Sequence, residues 1–517
     1  MRKWMPLLAV CLGTFMLLID VTIVSVALPQ MTDSLDTSFS AMQWVVDVYV
    51  LVLAALLMAI GSLSDLVGAR RVYLIGLVVF ALASLTCGLA TTSAMLIAAR
   101  GVQGLGAAAM FATNSALLAD NYRGRDRGIA FGMWGAVNGA AAAAGPILGG
   151  LLTEHLDWRW IFYVNLPVAA VALYIGARHL ATSARRADRR VDLPGTVGFT
   201  LVATLLIFAL IRAGEEGWGA GSTLALFGGA AVALVAFVLV ERGRRDPMLD
   251  LGLIRTPSFA TLMFGAVVFS AAAFANLVYV SVWAQSVLHF SPVKAGLILM
   301  PFSGMSFVAA GLGGRFLANM PPQYPIGGGL VLIGGGSFLE MFLTGTSGWT
   351  AMLAGFLVAG FGVGIASPIL ASAALAAAPP DRAGMAGGAA NTFRQLGFAL
   401  GIPAVGTVLS GAVASKLTGS GLFGDGDAKA DLVTGGQADT LLAAVPEGTR
   451  DAARRTVEDA YASGLDQVFL VGGVAAVVAG LLVLLLVRPS ARREEAPAPR
   501  PAAEPLQTVG DEGLRAG

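Results

Sequence analysis

The sequence is short of charge. Only 13% of its 517 residues are Asp, Glu, Lys or Arg, against roughly a quarter in a soluble globular protein. That deficit excludes a soluble enzyme carrying one greasy patch. It has two cysteines, Cys11 and Cys87. Both lie inside apolar runs, so no disulfide framework and no metal-ligand spacing is available. The net charge is +1, which leaves no global field for nucleic acid. No G-x-x-x-x-G-K-[ST] phosphate loop occurs, so no nucleotide partner is expected. No Ser/His/Asp arrangement occurs either, so neither an enzyme nor a cofactor is expected. Lysine is scarce too: most of the 33 basic residues are Arg.

What the chain has in abundance is apolar length. Mean hydropathy is +0.76, and runs of about 20 apolar residues recur, each enough to cross a bilayer. They predict spans at 6–28, 41–61, 72–90, 94–118, 129–152, 158–180, 193–213, 222–241, 258–288, 293–313, 324–344, 349–375, 387–413 and 465–487. The first run continues into Asp20 and Pro29 without a small-residue cleavage site, so it is read as a retained first helix. The run 258–288 is long enough to tilt or to extend past the bilayer.

Orientation follows from Lys and Arg. With the N-terminus in the cytoplasm, the inside segments hold Arg2, Lys3, Arg70, Arg71, Arg123, Arg125, Arg127 and Arg178. They also hold Arg185, Arg186, Arg189, Arg190, Arg242, Arg244, Arg245, Arg255, Arg315, Arg382 and the Arg residues after 487. The short outside loops hold only Arg159 and Lys294. Both termini are therefore predicted to be cytoplasmic. Segment 414–464 reads as an external loop with a short amphipathic surface helix. The Pro-, Ala- and Glu-rich tail 490–517 reads as disordered and cytoplasmic.

A shift of 256 positions aligns the two halves. Gly104 meets Gly360, Gly106 meets Gly362, Gly128 meets Gly384, Gly132 meets Gly388 and Gly145 meets Gly401. Val24-Ser25-Val26 meets Val280-Ser281-Val282, and Asp20 meets Asn276. The predicted architecture is an all-α polytopic membrane protein. A six-helix half (1–192) is followed by two inserted helices (193–257). A second six-helix half (258–489) then carries the external loop. Parallel halves around a central cavity suit a transporter; a membrane sensor or enzyme without transport has no need of the repeat.

Three motifs carry a more specific resemblance. After the second span comes Gly61-Ser-Leu-Ser-Asp65-Leu-Val-Gly68-Ala-Arg70-Arg71. Its glycines permit a tight turn, and Asp65 can accept from the next helix's amides or pair with an Arg. This resembles the signature loop of the major facilitator superfamily. The fourth span carries Arg100-Gly-Val-Gln103-Gly104-Leu-Gly106, which resembles the Arg-bearing motif of that family. The fifth carries Gly145-Pro146-Ile-Leu-Gly149-Gly150, which resembles its antiporter motif, a bend with close helix approach.

Further segments are Leu18-Ile-Asp20-Val-Thr22, Trp44-Val-Val-Asp47-Val-Tyr49, the run from Trp158 to Pro167, and Asn391-Thr-Phe-Arg394-Gln395-Leu-Gly397. Together they resemble the fourteen-helix branch of drug:proton antiporters. The resemblance implies alternating access and export of drug-like, lipophilic or cationic small molecules against protons. The site would be a bacterial cell membrane. A dedicated exporter of a self-made antibiotic or metabolite would share every motif. The tenth span has no acidic residue, where some cation exporters of the branch carry one.

Charges inside spans are costly and default to function. Counted along their helices at ~1.5 Å per residue, Asp20, Asp47 and Arg100 fall at one depth in the outer half. Two carboxylates near one Arg make a titrating cluster or a fixed ion pair. Glu340 is either a second cation site or a side chain reaching for water. Arg394, in the inner half of its span, is read as a donor to neighbouring carbonyls.

Overall fold

A backbone in lipid must satisfy its own hydrogen bonds, and helices do this within one segment. The computed structural model describes residues 2–37, 39–182, 192–244, 249–317, 320–379, 382–423 and 426–488. Among these no strand occurs, and fourteen long helices run side by side. They are α1 (Met5–Ser34), α2 (Phe39–Val67), α3 (Ala69–Gly88), α4 (Ser93–Asn121), α5 (Gly124–His155) and α6 (Trp160–His179). The inserted pair is α7 (Leu193–Glu216) and α8 (Gly221–Arg242). The second half comprises α9 (Pro257–Ser286), α10 (Met300–Phe316), α11 (Gln323–Leu339), α12 (Leu353–Ala377), α13 (Ala383–Gly419) and α14 (Glu447–Leu486). Eleven are long and apolar enough to cross a membrane. The others are α10 and α11, of 17 residues each, and the Gly- and Ala-rich α5.

Contacts at the helix ends fix the common direction. Tyr122 donates to the Lys3 carbonyl at 3.0 Å and accepts from the Leu7 amide at 3.0 Å. Arg70 donates to the Ala177 carbonyl at 2.5 Å, and Ser258 donates to the Leu486 carbonyl at 3.3 Å. Asp65 accepts from the Met385 amide at 3.0 Å, and Arg382 pairs with Asp250. One end of the bundle therefore carries the start of α1 and the end of α14 together, the terminal end. At the far end, Trp158 donates to Ser34 at 2.6 Å and Arg159 to the Ala90 carbonyl at 3.3 Å.

The repeat seen in the sequence is geometric. A Cβ on Gly104 would meet the Tyr49 carbonyl of α2, and one on Gly360 the Phe302 carbonyl of α10. Gly106 lies against Gly76 and Phe80 of α3, and Gly362 against Gly329 and Ile333 of α11. Gly145 faces Thr22 of α1, and Gly401 faces Ala271 and Ala275 of α9. These three pairs each make the same helix-to-helix approach in their own half. Small residues allow this where lipid gives no hydrophobic drive to associate.

Four elements differ from the expectation. Helix α2 does not end at 61 but runs to Val67, so Gly61 is helical and lies against Gly388 of α13. The turn rests on Gly68 alone, at φ +99°. The ninth span is 30 residues long, as expected, but it contains a π turn, Ala271–Ala275, that the apolar run did not announce. Glu340 does not reach water: α11 stops at Leu339, and Glu340 is 5% exposed with its stem against Gly355.

The fourth difference is the segment 414–464, which is folded rather than a loose loop. Two short helices, Asp427–Thr434 and Ala438–Ala443, pack onto α13 and α14. Helix α14 is continuous for 40 residues. The amphipathic stretch around Thr449–Tyr461 has no breaker before the last span. Its Ala453, Val457, Ala460 and Tyr461 are buried in the same core as the membrane helices. The tail 490–517 and the arginines between 183 and 191 lie outside the described residues.

Candidate functional site

Arg100 and Asp20 form an ion pair between α4 and α1, with both side chains wholly buried. The remaining partners follow from helix spacing. Arg100 and Gln103, one turn apart, face the same way, and Arg100 Nη1 donates to Gln103 Oε1 at 2.8 Å. Gln103 Nε2 donates to Asp20 Oδ1 at 3.0 Å, and Asn165 of α6 donates to the same oxygen at 3.1 Å. Ser84 of α3 accepts from Gln103 at 3.3 Å and from Asn165 at 3.1 Å, and donates to the Phe162 carbonyl at 3.0 Å. Arg100 Nε donates to the Val45 carbonyl of α2 at 2.8 Å, and its guanidinium lies 4.2 Å from the Tyr49 ring centroid. Five helices thus converge on one carboxylate and one guanidinium. Breaking either partner leaves a buried charge, which costs about 3–5 kcal/mol.

Asp47 is placed differently from Asp20. Val45 and Tyr49 turn toward Arg100, one turn apart on α2. Asp47 stands midway between them in sequence and so projects from another face. It is half-buried. On the face that carries Trp44, which packs on Phe208 of α7, α2 meets the inserted helices. The structure therefore brings Asp20 and Arg100 together and sets Asp47 apart on the other side of α2. Glu340 belongs to neither group. It lies at the far end of the second half, where its amide closes α11 on the Gly336 and Ser337 carbonyls.

Closer to the terminal end, Asn114 of α4 and Trp134 of α5 both donate to Thr14 of α1 at 2.9 Å. These residues, with Ser84, Gln103 and Asn165, were given no role from sequence. Gln103 and Asn165 sit inside quoted motifs. A polar side chain deep in an apolar run was the available signal, because lipid offers it no partner.

The signature segment acts across the halves. Asp65 accepts not from α3 but from Met385, in the first turn of α13, where exposed amides and the helix dipole favour an anion. Arg70 caps the end of α6 and also donates to Thr182 at 3.3 Å. Arg71 is exposed. Asn391 of α13 donates to the Phe111 carbonyl of α4 at 3.2 Å, and Ala371 and Leu375 of α12 pack into the core of the first half. The halves are latched to each other at the terminal end. Gln395 is half-buried on α13. In the fifth-helix motif, Gly149 and Gly150 are buried, and a Cβ on Gly150 would meet Val293 of the second half. Helix α5 runs unbroken through position 146; the Pro146 side chain lies outside what is described. No cluster of His, Cys, Asp or Glu among the described residues could hold a metal.

Comparison with known proteins supports this architecture. The chain is 35% identical over 414 residues to "Multidrug resistance protein Stp" of Mycobacterium tuberculosis, covering 80% of this chain and 77% of the relative. It is 32% identical to "Tetracenomycin C resistance and export protein" of Streptomyces glaucescens, over 98% of this chain and 96% of that one. A solved structure of the human organic anion transporter MFSD10 (TETRAN) shares the fold, with a TM-score of 0.61 at 16% identity. It covers 93% of this chain and 99% of that one. The family model described as Major Facilitator Superfamily matches residues 10–402, and on these grounds the chain belongs to the major facilitator superfamily.

Proposed function

We propose that the chain is a proton-coupled exporter of drug-like, lipophilic or cationic compounds across a bacterial cell membrane, working by alternating access. The terminal end faces the cytoplasm in this reading, as the distribution of Arg and Lys requires. The halves 1–192 and 258–489 rock against each other, and the inserted helices 193–257 ride on α2. Latching at the terminal end supports reading the described conformation as the outward-facing one. The relatives are named for resistance and export, which supports export rather than uptake.

The observation that carries proton coupling is the separate placement of the two acids, at one depth but on opposite sides of α2. The oxygens of Asp20 already accept from Arg100, Gln103 and Asn165, so Asp20 holds α1, α4 and α6 together. Asp47 is half-buried on another face of α2. A carboxylate at that depth has a use if its charge is exchanged between proton and substrate. In the outward state Asp47 takes a proton from external water. In the inward state a cationic or lipophilic substrate displaces that proton, and Asp65, Arg70 and the Gly145-Gly150 segment serve the gates.

The test is drug-evoked proton release from inverted vesicles across a pH series. Asp47→Asn should abolish release, and Asp47→Glu should keep part of it. Release and pH dependence unchanged in Asp47→Asn would remove Asp47 from the mechanism and move coupling to Asp20. A second reading, export of a self-made antibiotic, draws support from the nearly full-length likeness to the tetracenomycin C protein. A resistance profile broad across unrelated drugs would decide against it.

A further inference from the structure

We propose that Arg394 is the anion-binding point of an aromatic-lined subsite in the second half, which takes planar aromatic substrates bearing a carboxylate, sulfonate or phenolate. The inference rests on the export reading and narrows it to a second substrate class.

Two arginines are buried among the described residues, and they are partnered very differently. Arg100 has an anion, an amide oxygen and a backbone carbonyl around it, with only Nη2 left without an acceptor. Arg394 is 8% exposed on α13, about 16 Å along the helix from its start. It makes no hydrogen bond or ion pair with any described residue, and its Nη1 is enclosed without an acceptor. What it does have is the ring of Phe269 on α9, 5.3 Å from guanidinium carbon to centroid. An arginine does not shed its proton. A cation enclosed at mid-bundle with no acceptor is therefore a place prepared for an anion that arrives.

The surroundings specify the rest of that anion. Phe269 meets Phe274 at 6.0 Å between centroids, and Phe274 meets Phe302 of α10 at 6.2 Å, both edge to face. The π turn Ala271–Ala275 follows Phe269 and contains Phe274. Such turns break the regular ladder and are frequent at functional sites. Beside the turn, the Asn276 side-chain oxygen is buried with no donor. Asn276 is the position that the repeat pairs with Asp20. The second half thus keeps the place of the carboxylate but not its charge.

A guanidinium stacks on aromatic faces and binds carboxylate-like groups in a fork. The Phe269 ring lies beside it, with Phe274 and Phe302 next in line; Phe269 and Phe302 are packed in the core and Phe274 is half-buried, so a ligand would stack here as the halves part. A free inorganic anion would gain nothing from those rings, whereas a planar aromatic acid would use both. Cations enter this reading only through Asp47, on α2.

The test uses two xanthene dyes of similar shape and opposite charge, fluorescein and rhodamine 6G. The full chain in nanodiscs is titrated with fluorescein by anisotropy, and transport of each dye is followed in inverted vesicles. Fluorescein should bind saturably to the wild type. Loss of a charge-assisted contact in Arg394→Gln should weaken it at least ~tenfold, with Arg394→Lys intermediate. Rhodamine 6G transport should stay within about twofold in both variants, which also reports that they fold. No saturable fluorescein binding, unchanged binding in Arg394→Gln, or parallel loss of both dyes would each overturn the proposal. The last would assign Arg394 to packing or gating. Rhodamine 6G transport without fluorescein binding removes this subsite and leaves export standing. Fluorescein binding with no transport of either dye removes export and leaves the subsite.

Discussion

Replacing Asp65 by asparagine should loosen the terminal end without unfolding the bundle. In the structure the carboxylate accepts from the Met385 amide at 3.0 Å, three residues into α13. Asparagine keeps an oxygen in the same place and removes only the charge. A charge at a helix N-terminus is worth about 0.3–1 kcal/mol exposed and up to ~2 kcal/mol when partly buried. Asp65 is half-buried, so about 1–2 kcal/mol should be lost from the latched state. That shifts the balance of latched and open forms by roughly 5- to 30-fold.

Pulsed electron spin resonance would read the shift. Labels go on Arg125→Cys and Pro379→Cys, both exposed at the terminal end, one in each half, with Cys11 and Cys87 replaced by alanine. The Asp65→Asn variant should gain a longer-distance population, while its yield and melting temperature stay near those of the parent. A distance distribution identical to the parent's would refute the argument, even if transport fell.

Three other outcomes follow from the same geometry. Asp20→Asn should lower the melting temperature sharply, by about 3–5 kcal/mol of stability, and adding Arg100→Met should restore part of it; additive losses would show that the pair is not coupled. Gly106→Val, whose Cβ would press on the backbone of Phe80, should fail to yield folded protein. Gly228→Val, with nothing within 4 Å, should not differ from the parent, and equal yields would contradict the packing described. A maleimide that cannot cross the membrane should label Gly448→Cys in intact cells, since that position is open and at the far end; labelling only after permeabilisation would invert the topology.

The sequence carried the parts of the fold that depend on depth. Counting residues along each span placed Asp20 and Arg100 at one level, and opposite charges in lipid must meet. The glycines at one register predicted the repeat, because a missing side chain is meaningful only where another backbone approaches. What the sequence could not carry is azimuth. Helix period sets Asp47 on a different side of α2 from Val45 and Tyr49, but nothing in the spacing said which side meets Arg100, or that Gln103 and Asn165 would close on Asp20. Asp65 was legible as a capping acid, but its helix lay 320 residues away instead of next in line. Gly61 misled because glycine marks both turns and close helix contacts, and here it serves the second. The continuity of α14 was hidden because a polar amphipathic stretch and an apolar span have different compositions and yet form one unbroken helix.

That unbroken helix has a mechanical consequence. Forty residues make about 60 Å of rod, and the bilayer's hydrocarbon accounts for only about 30 Å of it. The remainder is riveted to the second half: Asp459 accepts from the Gly345 amide at 2.8 Å, and Tyr461 donates to the Tyr279 carbonyl at 3.2 Å. In the proposed cycle the far-end cap would swing with the second half as a pointer swings with its dial. A binder that clamps the cap to the first half would then stall the cycle from the far face, at the opposite end of the bundle from the Asp65 latch.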